Sequence, residues 1–238
     1  MADAPSDAVV LVSGGLDSAT ALAIALSEGH RCHAVTFHYG QRHGHEVAAA
    51  SRVAGALGVE DHRVVPLWLG QLRGSALTDE QIAVPHGRTV EQMQSGIPVT
   101  YVPARNTIFL AYALAIAEIT ESDFIYVGVN SVDYSGYPDC RPQYVEAFGR
   151  LARLATRRAV ECRPPQLLAP LQHLNKAEII RRGMELGLDY GLTLSCYDPD
   201  REGRACGSCD ACSLRRRGFI DAAVEDPTAY MPGAAFSS

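Results

Sequence analysis

Apolar and polar positions alternate along the first third of the chain between two periods. AVVLV (8–12) is an unbroken apolar run of strand length, and ATALAIALSEGH (19–30) then repeats at helical spacing up to Gly29. CHAVTFHY (32–39) predicts a second strand, HEVAAASRVAGALG (45–58) a second helix stopped at Gly58, and HRVVPL (62–67) a third strand. A βαβαβ opening of this kind implies a parallel sheet with helices on both faces. Residues 68–104 are punctuated by Gly and Pro and show little periodicity, and so long a connection inside a compact domain is commonly functional. RNTIFLAYALAIAEI (105–119) reads as a largely buried helix, and FIYVGVN (124–130) as a strand leading into the irregular SVDYSGYPDCRP (131–142). A helix over about 143–160, a short strand at LLAPL (167–171) and an Asn-capped helix in NKAEIIRRGMELGL (175–188) complete the pattern. PGAAFSS at the end reads as a frayed tail.

Composition narrows the class. The chain has 238 residues, is 47% hydrophobic and carries a net charge of -6, so it can bury a full core but lacks the basic excess that a long nucleic acid requires. No stretch approaches the ~18 apolar residues of a membrane span. MADAPSDA has neither the basic nor the apolar region of a secretory signal, and a cytoplasmic location is expected. Three of the seven cysteines, Cys32, Cys140 and Cys162, stand apart, whereas Cys196, Cys206, Cys209 and Cys212 cluster where the chain is too short and polar to form its own core. In a reducing compartment such a cluster reads as a metal site before disulfides. Four thiolates complete a closed tetrahedral zinc site, with an iron–sulfur cluster as the rival.

LVSGGLDSAT (11–20) joins the first strand to the first helix, at the carboxyl edge where parallel sheets bind ligands. Gly14 and Gly15 let backbone N–H groups converge, Ser13 and Ser18 add hydroxyls, and the helix contributes its positive end. The result is an anion cradle, but neither a Walker loop nor a dinucleotide fingerprint. A plain turn, with Asp17 serving the helix dipole, is the alternative.

SGGLDS resembles the SGGxDS pyrophosphate loop of ATP pyrophosphatases, which cleave ATP between its α and β phosphates. The resemblance implies a Rossmann-like α/β fold of that type, with Val12, Ser13, Gly14, Gly15, Leu16, Asp17, Ser18, Ala19, Thr20, Ala21 and Leu22 as the ATP-binding stretch and Asp17 holding Mg²⁺ or orienting phosphates. FHYGQRHGHE (37–46), TYVPARN (100–106), SGYPDCRP (135–142) and SCY…CGSCDACSLRRRGF (195–219) are together similar to the 7-cyano-7-deazaguanine synthases of the queuosine pathway, in the expected order over nearly the whole chain. That resemblance implies a 7-carboxy-7-deazaguanine substrate, adenylated by ATP and aminated by ammonia, then dehydrated to the nitrile after a second adenylation. It favours one structural Zn²⁺ per chain on Cys196, Cys206, Cys209 and Cys212, and a homodimer. The division expected is residues 1–195 as the α/β domain and 196–238 as a zinc-binding segment packed on it.

Within that frame the candidate catalytic residues are Asp17, Arg105, as a phosphate or adenylate clamp, and Lys176, near the α-phosphate. Asp133, Tyr137, Asp139 and Arg141 are the candidates for holding a flat guanine-like base, by aromatic contact and charged hydrogen bonds. Three of these have a plainer alternative: a turn aspartate for Asp139, a surface ion pair for Arg105, a solvated first-turn lysine for Lys176. Cys140 lies in the same loop, though a nitrile synthase transfers no sulfur. Cys32 and Cys162 are expected to pack as small apolar residues. His38, His43 and His45 match no compact ligand set, and His43 is expected to make a substrate or structural contact. Arg215–Arg217 read as a solvated helix face rather than an RNA patch. Arg73 and Ala155 stand where the family pattern has glycine. The competing functions are attachment of the deazaguanine to a protein partner, tRNA thiolation and passive nucleotide binding.

Overall fold

A computed structural model describes residues 5–71, 73–132 and 136–234. Five parallel strands form one sheet in the order β3-β2-β1-β4-β5: β1 (Asp7–Leu11), β2 (Arg31–His38), β3 (Asp61–Pro66), β4 (Phe124–Tyr126) and β5 (Gln166–Leu168). The chain winds outward from β1 through β2 to β3, returns to β4 on the other side of β1, and continues outward to β5. This reversal opens a crevice at the carboxyl ends of β1 and β4.

Period-2 alternation sends successive side chains of β1 to opposite faces. Ala8 and Val10 join a core beneath α1 (Leu16–Ser27), α2 (His45–Ala56), α7 (Lys176–Glu185) and α8 (Asp210–Ala222). Val9 and Leu11 join a second core beneath α4 (Arg105–Ile119) and α5 (Pro142–Ala152). Gly29 and Gly58 stop the helices before them with φ of +83° and +72°, a region open to glycine at no steric cost.

The punctuated segment 68–104 holds a short α3 (Val90–Gln94), started by a Thr89/Gln92 capping box. Arg42 pins the segment by donating from Nη1 to the carbonyls of Ala76 (3.1 Å) and Ile82 (3.0 Å). Arg88 ties it to the C-terminal region through an ion pair with the buried Asp210.

Four expectations need revision. The helix expected over 143–160 is two, α5 and α6 (Arg157–Val160), because Thr156 accepts the Ala159 N–H at 3.1 Å and starts α6 afresh. α4 buries one side only, leaving Tyr112 and Ile119 exposed. Cys162 is exposed at φ +61° just past α6, while Cys32 is buried. Arg215 belongs to no solvated face: it pairs with Asp226 (3.1 Å) and donates to Thr193 Oγ1 (2.7 Å) and the Tyr190 carbonyl (3.0 Å).

Candidate active site

The loop after β1 is shaped by what presses on it. A Cβ at Gly14, where φ is +86°, would lie 2.3 Å from the Glu46 carbonyl oxygen and 2.7 Å from the Ala50 nitrogen. A Cβ at Gly128, just beyond β4, would lie 2.9 Å from the Asp17 main chain. Only glycine lets α2 and β4 close on the loop this tightly. Inside it, the Ser13 N–H donates to Ser18 Oγ (3.1 Å), and Ser18 Oγ donates to the Gly15 carbonyl (3.0 Å). Gly15 is the N-cap of α1 and brings no side chain to it, so the helix's positive end faces the crevice.

Lys176 reaches this end from α7. An Asn175/Glu178 capping box fixes the start of that helix, and the lysine stem lies so close to Gly218 of α8 that a Cβ there would sit 2.3 Å from Lys176 Cγ. The ammonium grips both carboxylate oxygens of Asp17, at 2.8 and 2.9 Å. A partly buried pair of this kind puts an organised positive charge beside the loop without leaving either group unpaired.

The opposite wall is built by α4. Ala104, at φ +54°, turns the chain into the helix, and Arg105 donates to Tyr39 Oη at 3.2 Å with its guanidinium over the rings of Tyr39 (5.8 Å) and Phe109 (5.9 Å). Tyr137 also lines this wall, its hydroxyl bonded to Thr100 Oγ1 (2.8 Å) and Tyr197 Oη (3.3 Å). Between the walls lies a cavity of about 280 Å³, within which Glu46, Asn130, Ser195 and Arg215 also show. Burial pushes the Glu46 carboxyl up to about 7, against the opposing pull of the Arg105 cation. Burial likewise pushes the Cys140 thiol up to about 12, which leaves it a poor nucleophile.

Of the residues expected at the site, Val12, Ser13, Gly15, Leu16, Asp17, Ser18, Arg105, Tyr137 and Lys176 line the cavity. Gly14 shapes the loop, whereas Ala19, Thr20, Ala21 and Leu22 are buried in the packing of α1. Asp139 departs from its expected role. Its Oδ2 accepts the Asn106 N–H at 3.0 Å, and Asn106 donates back to the Asp139 carbonyl at 3.1 Å, so this carboxylate caps the start of α4 instead of facing the cavity. Arg141 is exposed as the N-cap of α5, outside the lining, and Asp133 lies outside the described residues. Glu46 and Arg215 are the additions that sequence reasoning missed. Glu46 sits inside the quoted FHYGQRHGHE, but no spacing sets it apart.

The four clustered cysteines converge, with all their Sγ atoms within 4.8 Å of one another. Thiolates on one tetrahedral zinc, at about 2.3 Å each, stand about 3.8 Å apart. The Cys206–Cys212 and Cys196–Cys209 separations of 3.9 and 4.0 Å fit that set. Backbone N–H groups of Cys206 and Asp198 donate to Cys196 Sγ (3.2 and 3.3 Å), and that of Cys209 to Cys206 Sγ (3.3 Å), the support that thiolate ligands need. Cys209 and Cys212 belong to the start of α8, and the His43 ring reaches the backbone beside Cys196.

A family model described as "Queuosine biosynthesis protein QueC" matches residues 7–223. The chain is 59% identical over 223 residues to a protein named 7-cyano-7-deazaguanine synthase from Alcanivorax borkumensis, covering 94% of this chain and 98% of that one. A protein of the same name from Thiobacillus denitrificans is 60% identical over 94% of this chain and 97% of its own. Among solved structures, an NMN synthetase from Francisella tularensis is similar over 93% of this chain and 79% of that one, at 14% identity and a TM-score of 0.47, too loosely to bear on single residues. The loop, its lysine, the cysteine knuckle and these matches agree, and the chain belongs to the QueC family of queuosine biosynthesis proteins.

Proposed function

We propose that this protein is the ATP-dependent ligase that its relatives' name describes, converting 7-carboxy-7-deazaguanine and ammonia into 7-cyano-7-deazaguanine through an acyl adenylate and an amide, with release of AMP and pyrophosphate. The observation that carries the reading is the pairing of Asp17 on the SGGLDS loop with Lys176, at the open end of a parallel sheet. In this reading Ser13–Ser18 hold the β,γ-pyrophosphate of ATP, and Asp17 exchanges its lysine partner for the Mg²⁺ that accompanies the nucleotide. Lys176 then turns to the α-phosphate, where charge develops as pyrophosphate leaves. Arg105 clamps the adenylate, and Tyr137 offers a ring to the flat base.

The four cysteines are read as a structural zinc site, which leaves no open position for substrate and serves to hold residues 196–238 against the α/β unit of residues 1–195. A cytoplasmic homodimer is part of the same proposal. Among the described residues no helix is long and apolar enough to cross a membrane.

The test is mass spectrometry of the products formed from the carboxy-deazaguanine, ATP-Mg²⁺ and ammonium. Nitrile with two AMP per product is expected, and the protein should hold about one zinc per chain. Primary release of ADP and orthophosphate, or arrest at the amide, would refute the assignment.

A further inference from the structure

Amide and nitrile formation each need somewhere for nitrogen protons to go. In the first step ammonia's lone pair forms the C–N bond, the bond from carbon to the AMP oxygen breaks with its electron pair, and one N–H proton must be removed to leave the neutral amide. In the second, the amide oxygen bonds to the α-phosphorus as pyrophosphate departs. Nitrogen then loses both remaining protons as C≡N forms and AMP leaves with the C–O electron pair. No oxidant or reductant enters either step.

Among the described residues that line the cavity, only Asp17 and Glu46 carry carboxyl groups, and none is a histidine. Asp17 is held at both oxygens by Lys176 and, in the reading above, passes from the lysine to Mg²⁺, so a cation occupies it throughout. Burial holds the Cys140 and Tyr39 protons more tightly than usual, and Tyr137 Oη is engaged with Thr100 and Tyr197. Glu46, at the start of α2, has no hydrogen-bond donor among the described residues and stands at the cavity wall.

Resting on the reaction proposed above, we infer that Glu46 is the catalytic base that takes the nitrogen protons in both half-reactions. The charged and titratable groups around it come from every wall: the Arg105 cation from α4, the neutral Tyr39 hydroxyl just past β2, the Asp17–Lys176 pair, and Arg215 of α8, which is itself paired with Asp226. Its carboxyl, pushed up to about 7 by burial, lies in the range where a base both captures a proton and returns it to solvent between steps. A carboxylate devoted to gripping the N–H groups of the base would be better kept fully ionised, which this environment opposes.

The experiment separates the chemistry by what it requires. Adenylation of the acid releases no nitrogen proton, so acid-dependent exchange of labelled pyrophosphate into ATP, run without ammonium, should survive in Glu46→Gln within about threefold. Conversion of the free amide to nitrile by the same variant should fall by about 100-fold or more in kcat, with KM little changed. In the wild type that conversion should rise through a single limb near pH 7 and level off above it. The limb should vanish in Glu46→Gln, and Glu46→Asp should keep both the limb and part of the rate. Equal loss of exchange and nitrile formation, a raised KM with kcat intact, or an unaltered limb in the variant would each overturn the assignment. Absence of exchange in the wild type would instead bring down the ligase reading on which it rests.

Discussion

Two loops leave the open edge of the sheet carrying similar chemistry on paper, and they use it in opposite ways. SGGLDS follows β1 and SGYPDCRP follows β4, and each offers serine, glycine and aspartate. Asp17 faces the cavity, where its partner is a lysine from a distant helix. Asp139 is 6% exposed and spends its carboxylate on the first turn of α4. The difference is one of backbone supply. Neither N-cap brings a capping side chain, but α1 borrows a neutral one, the Leu16 N–H donating to Ser195 Oγ (3.3 Å) in the cavity lining, whereas α4, which begins at the left-handed Ala104, borrows a carboxylate from another loop. An aspartate's meaning in a site loop therefore depends on which helix start is short of a cap.

The comparison can be tested by removing each side chain in turn. Asp17→Ala should reduce ligation by about 100-fold or more, a barrier increase of about 3 kcal/mol, with little change in melting temperature, since the lysine it releases can reach solvent. Comparable loss of fold and activity would merge the two loops' roles. Asp139→Ala should cost about 1–2 kcal/mol of stability and weaken ATP and the deazaguanine together, because α4 carries Arg105 into the cavity. Selective loss of deazaguanine binding in steady-state kinetics would return Asp139 to base recognition. Arg141→Ala, beside Asp139 but exposed, should stay within about 0.5 kcal/mol of the parent in thermal unfolding.

A pH-dependent effect sharpens the same point for Glu46. Its carboxyl is raised in the folded chain, so the folded state binds the extra proton and stability falls as pH rises from the ordinary carboxyl range through about 7. Glu46→Gln should therefore be measurably more stable than the parent at pH 8, with the gap narrowing toward pH 5, in paired melting curves.

Which features the sequence made legible follows from the range of the interactions that determine them. The βαβαβ opening depends on periodicity and on glycine stops at 29 and 58, all encoded within a few residues. The SGGLDS loop is equally local, as are the Asn175 cap that starts α7 and the spacing of the knuckle cysteines. Arg215 was hidden because its acid, Asp226, lies beyond the end of α8, and two neighbouring arginines made it look like part of a solvated run. The break between α5 and α6 was hidden because Leu151, Leu154 and Val160 carry an apolar rhythm across it while remaining exposed. Glu46 was hidden because its isolation is a property of the assembled walls, not of its neighbours in sequence.

Gly218 gives the knuckle a reach beyond its own sulfurs. The helix that begins at Cys209 and Cys212 is also the bed across which the Lys176 stem lies, and the bare Cα of Gly218 sets how deep that stem sinks. Whatever closes the four thiolates thus sets the angle from which a charge some distance away meets the loop. On the proposed zinc reading, a chelator that never enters the cavity should slacken Lys176 before it unfolds the sheet, so that loss of turnover becomes the earliest sign of a loosened anchor.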